Sequence, residues 1–347
     1  MTKQQHIIVY RLSAMGDVAM TVPIIRLFVS QYPDVKITFV SRAFLKPLFD
    51  EIPNVSFFPV DTKSKHKGFS GLYQLFKELN SLNTTHFADA HNVLRSKVIR
   101  LFFSLFSKVK TAKIDKGRKE KKALTRHNNK IFKQLKTSHQ RYADVFNKLG
   151  FEINIENYTP PKNEPLSLNN TELIGNKNKH WIGIAPFAAF ESKTYPEKLM
   201  LKVIEELSQN DLHIFLFGGK ADIRKLRPLE KQFSNVTSIA GKLSNLKHEL
   251  NLIGKLDVMI SMDSGNAHFA AMLGIDTVTI WGNTHPYAGF APFNQPTENC
   301  ILPDLEKYPA LPCSIYGNKT LPGYENVMES IPPEKIINKI KEILSKK

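Results

Sequence analysis

The chain has 347 residues, 42% of them hydrophobic and 23% charged, and its 48 Lys and Arg against 32 Asp and Glu leave a formal net charge of +16. This composition excludes a disordered chain, a collagen-like repeat and a disulfide scaffold, and the length suits two domains, each with its own core. Only Cys300 and Cys313 are present, the N-terminus lacks a secretory-signal pattern, and no apolar run reaches the ~20 residues of a membrane span. A reducing, cytoplasmic setting is expected, with neither a disulfide nor a metal site.

In chain order, Ile7 to Tyr10 reads as a strand, Arg11 to Asp17 as a loop, and Val18 to about Ser30 as a helix. Lys36 to Ser41 reads as a second strand, so the chain opens as a βαβ unit with a right-handed crossover. A strand near Val55 to Val60, a helix over Gly71 to Asn80, a strand near His86 to Ala90 and a helix around Arg95 to Phe106 follow. A helix over Ser138 to Leu149 ends at Gly150. The Pro-, Asn- and Lys-rich stretch from Tyr158 to Asn178 marks a boundary.

The second half repeats the rhythm, with strands at Trp181 to Ala185, His213 to Phe217, Asp257 to Met262 and Thr277 to Trp281. Helices begin at Tyr195-Pro196-Glu197, after Gly218-Gly219 (kinked or divided at Pro228), at Leu243, at Gly265 and at Pro332-Pro333. The expected fold class is α/β, two Rossmann-like doubly wound domains facing a central cleft. Chemistry belongs at the C-terminal ends of the strands.

The charge is concentrated. Lys108 to Arg141 holds 13 basic residues against Asp115 and Glu120, a local balance of +11. Such a block is a solvated face or meets a polyanion. Phe132 and Tyr142 are too few aromatics for base stacking, so an anionic membrane or acceptor is preferred to nucleic acid. The apolar stretch Val98 to Phe106 is read as a core helix, with insertion into a membrane interface as the alternative.

Three segments carry candidate chemistry. In Arg11 to Asp17, which matches neither a P-loop nor a dinucleotide fingerprint, Asp17 is either a helix cap or a general base. In Ser261 to His268, Ser264 and Gly265 open a helix whose free N–H groups suit phosphate, Asp263 is placed to hold sugar hydroxyls, and His268 packs on the sheet or serves the site. In Ala185 to Glu197, Lys193 is either a surface residue or a cation for a diphosphate.

Together R-L-S-A-M-G-D-V-A-M-T-V-P, K-T-Y-P-E, and D-S-G-N-A-H-F-A-A-M-L-G followed by I-W-G-N-T resemble the ADP-heptose:lipopolysaccharide heptosyltransferases, two-domain GT-B glycosyltransferases. Asp89 to Ser96 and Arg141 to Gly150 also fit, and order and spacing agree from about residue 7 to residue 290. The resemblance implies inverting, metal-independent sugar transfer from a nucleotide-diphospho-sugar, ADP-linked, with no cofactor. Asp17 is then the general base, Lys193 contacts diphosphate and sugar, Asp263 holds sugar hydroxyls, and Ser264, Gly265 and His268 serve the phosphates. Asp222 is assigned to the ribose and Leu243 to the base. Where the family often has Thr or Ser, this chain has Ala188 and Ala189, so phosphate grip there falls to backbone N–H groups.

The expected division is an acceptor-binding domain over 1–160 with basic segment 108–141, a linker over 161–178, a donor domain over 179–330, and a helix over 331–347 for which packing back on the N-terminal domain is one option. Ser13, Gly16, Arg95, Lys116, Arg118, Lys119, Lys121 and Lys122 are assigned to an anionic glycolipid acceptor at the cytoplasmic membrane face, the protein being peripheral there. The rival readings are a nucleotide-sugar epimerase of the same fold, and a basic polyanion- or membrane-binding protein with vestigial loops.

Overall fold

The computed structural model describes residues 4–162, 165–243 and 245–347, and its contacts divide the chain into two compact units. Unit one comprises Met1–Lys116 and Ser138–Thr159; unit two comprises Gly117–Thr137 and Pro160–Lys347.

Unit one begins with β1 (His6–Tyr10), α1 (Met15–Ala19), α2 (Val22–Gln31) and β2 (Lys36–Ser41). The single helix expected over Val18 to Ser30 is two, because Pro23 cannot donate to the carbonyl four residues back, and the Thr21 hydroxyl instead donates to the Val18 carbonyl at 2.6 Å. Next come β3 (Val55–Pro59), α3 (Gly68–Asn80), β4 (His86–Asp89), α4 (Leu94–Phe106) and β5 (Lys110–Lys113). The sheet is parallel in the order β3-β2-β1-β4-β5. Its central strand is apolar on both faces, with Ile7 to Tyr10 fully buried, as a sheet covered on both sides requires.

At Gly117 the chain passes from unit one to unit two. The helix α5 (Arg118–Thr125) and the segment after it belong to unit two, and only at α6 (Ser138–Asn147) does the chain return to unit one, where Phe146 and Phe151 pack on Phe28 of α2. The expectation that the whole basic segment 108–141 belongs to the N-terminal domain is therefore corrected. Leu124 and Leu135 are buried with Ala288, the Leu135 N–H donates to the Tyr287 carbonyl, and the Lys130 ammonium donates to the carbonyls of Ala310 and Pro312 at 2.6 and 2.9 Å. These anchors all lie in unit two.

Unit two continues with α7 (Leu168–Ile174), β6 (His180–Ala185), α8 (Glu197–Ser208), β7 (Leu212–Leu216), α9 (Ile223–Gln232), β8 (Val236–Ser238) and α10 (Leu246–Ile253). It closes with β9 (Val258–Met262), α11 (Gly265–Met272), β10 (Asp276–Ile280), β11 (Cys300–Ile301) and α12 (Pro333–Leu344). The parallel order β8-β7-β6-β9-β10-β11 is the 3-2-1-4-5-6 winding of a dinucleotide-binding sheet.

Three further expectations change. The 161–178 stretch is not merely a linker: α7 docks on unit two, where buried Asn170 donates to the His248 carbonyl and to Asn251. The C-terminal helix belongs to unit two, where Ile336, Ile340 and Ile343 join the core and Lys341 pairs with Glu206 of α8. Helix α9 runs undivided through Pro228.

Candidate active site

In a parallel sheet of this winding, the strand order reverses beside the first strand, and the loops leaving the two diverging strands open a crevice at their carboxyl ends. Unit one reverses between β1 and β4. There Arg11, the first residue beyond β1, is buried and donates to the Ala90 carbonyl beyond β4 at 2.7 Å. Its other guanidinium nitrogen lies 2.6 Å from Asp17 Oδ2, and the Tyr142 ring stands 5.6 Å from the guanidinium carbon.

Asp17 sits at a capping position. It is the third residue of α1, and the same Oδ2 accepts the Ala14 N–H at 3.1 Å, so the carboxylate does cap its helix. Both partners use one oxygen. Among the described residues no donor reaches Oδ1, and the side chain is 30% exposed, which leaves one carboxylate oxygen for an incoming hydroxyl.

Beside this pair, buried Asp89 accepts the N–H groups of His91 and Asn92 and so shapes the turn after β4. His91 Nδ1 faces the Leu12 N–H at 3.5 Å. Burial, with the charges of Arg11 and Lys116, pushes His91 down to about 3, so it stays neutral and places no second cation beside Asp17. Arg95 donates to the His66 carbonyl at 2.9 Å and thereby ties α4 to the loop before α3.

Unit two reverses between β6 and β9, and its candidate residues again come from the two loops there. Lys193, at the end of a short 3-10 turn after β6, places its ammonium 2.9 Å from Asp263 Oδ2, immediately beyond β9; both side chains are nearly buried, at 13% and 8% exposure. The Thr284 hydroxyl donates to the same oxygen at 2.9 Å. Ser264 is the N-cap of α11, but its hydroxyl pairs with Ser261 at 3.0 Å rather than capping the helix, so no side chain closes the positive end. Gly265 opens the helix and His268 is buried within it.

The cradle around Lys193 is close. A Cβ on Gly317, whose φ is +81°, would fall 2.3 Å from Lys193 Cδ, and Ser192 donates its hydroxyl to the Gly317 carbonyl. Gly282 is equally constrained, since a Cβ there would fall 2.2 Å from the Ser192 carbonyl oxygen, and Asn283 donates its N–H to that oxygen at 3.1 Å.

Among the described residues no group of three or more His, Cys, Asp or Glu is placed to hold a metal ion, and no helix is long and apolar enough to cross a membrane. The family model for glycosyltransferase family 9 (heptosyltransferase) matches residues 72–315. The chain belongs to this family. A lipopolysaccharide core heptosyltransferase of Haemophilus influenzae is 25% identical over 354 residues, 96% of each chain. Two solved structures share the fold: a family 9 glycosyl transferase of Veillonella parvula (TM-score 0.75, 19% identity, 99% of this chain and 98% of that one) and the ADP-heptose heptosyltransferase II of Escherichia coli (0.71, 17%, 99% of each).

The other positions assigned from sequence in this family 9 glycosyltransferase lie outside the two pairs described above. Asp222 accepts the Gly219 N–H at 2.8 Å, so it caps its own turn. Leu243 lines a surface groove with Asn169, Glu172, Leu173 and His248. The Ala188 N–H faces the Thr194 hydroxyl at 3.3 Å, an internal partner for one of the groups expected to grip phosphate. Lys121 is corrected: it is buried, with its ammonium 3.9 Å from the Phe290 ring centroid in unit two, while Arg118, Lys119 and Lys122 are exposed.

Sequence reasoning missed Arg11, Tyr142, Thr284 and Gly317. Arg11 had a local signal, a cation six residues before Asp17 at the end of a buried strand. The others had none, since their partners lie far along the chain.

Burial and the Lys130 charge push His285 down to about 4, and His91 is lower still. Above the ordinary value of 6.5 both imidazoles are neutral folded or unfolded and their stability contribution is complete. Below it the unfolded chain takes protons that the folded one refuses, so stability falls with pH. The thermal midpoint should therefore drop between about pH 6.5 and about pH 5, the buried histidines outweighing Glu249, whose carboxyl burial pushes up to about 6 and which acts with the opposite sign. A midpoint constant over that window contradicts the expectation.

Proposed function

We propose that this glycosyltransferase performs an inverting, metal-independent transfer of a heptose from an ADP-linked donor to an anionic glycolipid acceptor of the lipopolysaccharide type. The observation that carries the reading is the Lys193–Asp263 pair at the switch point of unit two, beside the uncapped start of α11. Lys193 has three N–H donors and gives one to Asp263, which leaves two for a diphosphate. The α11 N–H groups add positive potential where the leaving group gathers charge. Asp263 Oδ2 is taken by Lys193 and Thr284, so Oδ1 is the oxygen offered to sugar hydroxyls.

The acceptor hydroxyl gives its proton to Asp17 Oδ1 as its oxygen attacks the anomeric carbon. The bond from that carbon to the diphosphate oxygen breaks, its electron pair leaves with ADP, and one displacement inverts the anomeric configuration. Arg11 fixes Asp17 in place. Ser13, Gly16 and Arg95 are assigned to the acceptor, with exposed Arg118, Lys119 and Lys122 attracting its acidic groups from the solvent. The setting proposed is the cytoplasmic face of the membrane, the protein being peripheral.

A panel of ADP-, GDP- and UDP-sugars tests the donor by thermal shift and by nucleotide release with a lipid-linked acceptor. Release with ADP-heptose that depends on the acceptor is expected. Acceptor-independent epimerisation of a nucleotide-sugar overturns the reading.

A further inference from the structure

The outer face of α3 and α4 is not accounted for by the transfer chemistry. Six of the fourteen large hydrophobic side chains exposed among the described residues lie there: Phe69, Tyr73, Leu94, Leu101, Leu105 and Phe106, between 43% and 80% exposed. Much of the face is one aromatic cluster. Phe69 and Tyr73 each stand 5.6 Å from Phe102 between ring centroids, and Phe106 stands 6.1 Å from Phe76 and 6.2 Å from Phe102. The inner rings fill the core, while the outer ones and the Leu101 and Leu105 side chains meet solvent. A grouped apolar patch of this kind on a folded unit marks a surface that is covered in use.

The charge around it selects the cover. Residues 63–110 hold nine Lys and Arg against Glu78 and Asp89, a balance of +7, and Asp89 is buried while Glu78 is bound by Lys65. Exposed Lys97 lies on α4 between Leu94 and Leu101, exposed Lys108 follows Phe106, and the Lys77 ammonium stands 5.0 Å from the Tyr73 ring centroid. A two-fold contact with a second copy would set this basic face against itself. An anionic bilayer matches both parts, because apolar tips enter the acyl boundary while lysine stems run along them and their ammonium groups remain among the headgroups.

We propose that the α3–α4 face of unit one seats the protein on an anionic lipid bilayer, with Phe69, Leu101, Leu105 and Phe106 inserted and Lys97 and Lys108 on the headgroups. The proposal does not depend on which sugar is transferred. Ile99, Phe102 and Phe103 bear out the core reading of Val98 to Phe106 on one face, while Leu101, Leu105 and Phe106 are exposed on the other.

The test uses the full chain and vesicles of phosphatidylcholine, either pure or with roughly one-quarter phosphatidylglycerol. The native Trp181 and Trp281 are buried, at 2% and 0% exposure, so a tryptophan placed by Leu105→Trp reports on its own surroundings. Its emission should shift to the blue with the anionic vesicles and stay unchanged with the neutral ones. Leu101→Glu with Leu105→Glu should weaken sedimentation with anionic vesicles by about tenfold or more, and so should Lys97→Glu with Lys108→Glu. Unshifted emission on vesicle-bound protein overturns the proposal. So does vesicle binding unchanged in folded double variants, including the case where the leucine variant alters oligomeric mass instead. Should the charged variants fail to fold, the emission of Leu105→Trp decides alone.

Discussion

Asp17→Asn is expected to lower the turnover rate by roughly 10²- to 10⁴-fold, the usual range for removing a general base, while leaving donor affinity little changed. The substitution preserves shape, and the amide oxygen still accepts the Ala14 N–H that starts α1. What it removes is the basic oxygen, Oδ1, for which no donor competes among the described residues, and the charge that Arg11 holds at 2.6 Å. Donor binding is assigned to unit two and should survive, so calorimetry with the donor and single-turnover kinetics separate the two effects. Arg11→Lys makes a useful partner variant: it keeps the cation but loses the fork that spans Asp17 and the Ala90 carbonyl, so an intermediate loss is expected. Turnover within a few-fold of wild type in Asp17→Asn would leave the residue as a helix cap only.

Lys193→Ala should weaken donor binding by roughly 10- to 100-fold, the worth of charge-assisted hydrogen bonds to a diphosphate. The fall in kcat/KM should be larger, because negative charge on the departing diphosphate increases towards the transition state. Wild-type transfer should persist with divalent metal chelated. An absolute requirement for added metal would falsify the metal-independent scheme. Gly317→Ala extends the prediction to a residue without a functional group. Its φ of +81° disfavours any side chain, and the new methyl would lie 2.3 Å from Lys193 Cδ, so either the loop or the lysine must move. Donor affinity should fall with little change in the pH profile of the rate. Unaltered donor affinity would show that Lys193 does not act from its observed position.

Much of this architecture is legible along the chain because its signals are local. The Ile7 to Tyr10 run is apolar without alternation, which is the mark of a strand covered on both faces, and the loop after it is short enough that Arg11, Asp17 and the start of α1 fall together. The same holds for β9 and α11, where Asp263, Ser264 and Gly265 are consecutive. Alternation of such units suffices for two doubly wound sheets.

Partnership across the sheet is not local. Lys193 and Asp263 lie 70 positions apart, and they meet because β6 and β9 are neighbours, a consequence of strand order that no spacing reveals. The basic block shows the limit most clearly. Thirteen cations in 34 residues read as one solvated face, yet Lys121 lies over an aromatic ring, Lys130 holds two carbonyls, and Leu124 and Leu135 are buried. Charge dominates the composition while a few stems and leucines decide the packing, and their partners, Ala288, Phe290 and Ala310, come more than 150 residues later.

The sequence by itself determined the two α/β halves, the family and the loops that bear Asp17, Lys193 and Asp263, since strand-loop-helix junctions and their polar residues are written in short contiguous segments. The tertiary structure alone decided which cations those carboxylates pair with, that residues 117–137 and the C-terminal helix belong to unit two, and that α4 turns leucines and a phenylalanine outward. Those outcomes depend on burial and proximity, which arise only when distant segments compete for the same apolar surface and the same unpaired polar groups.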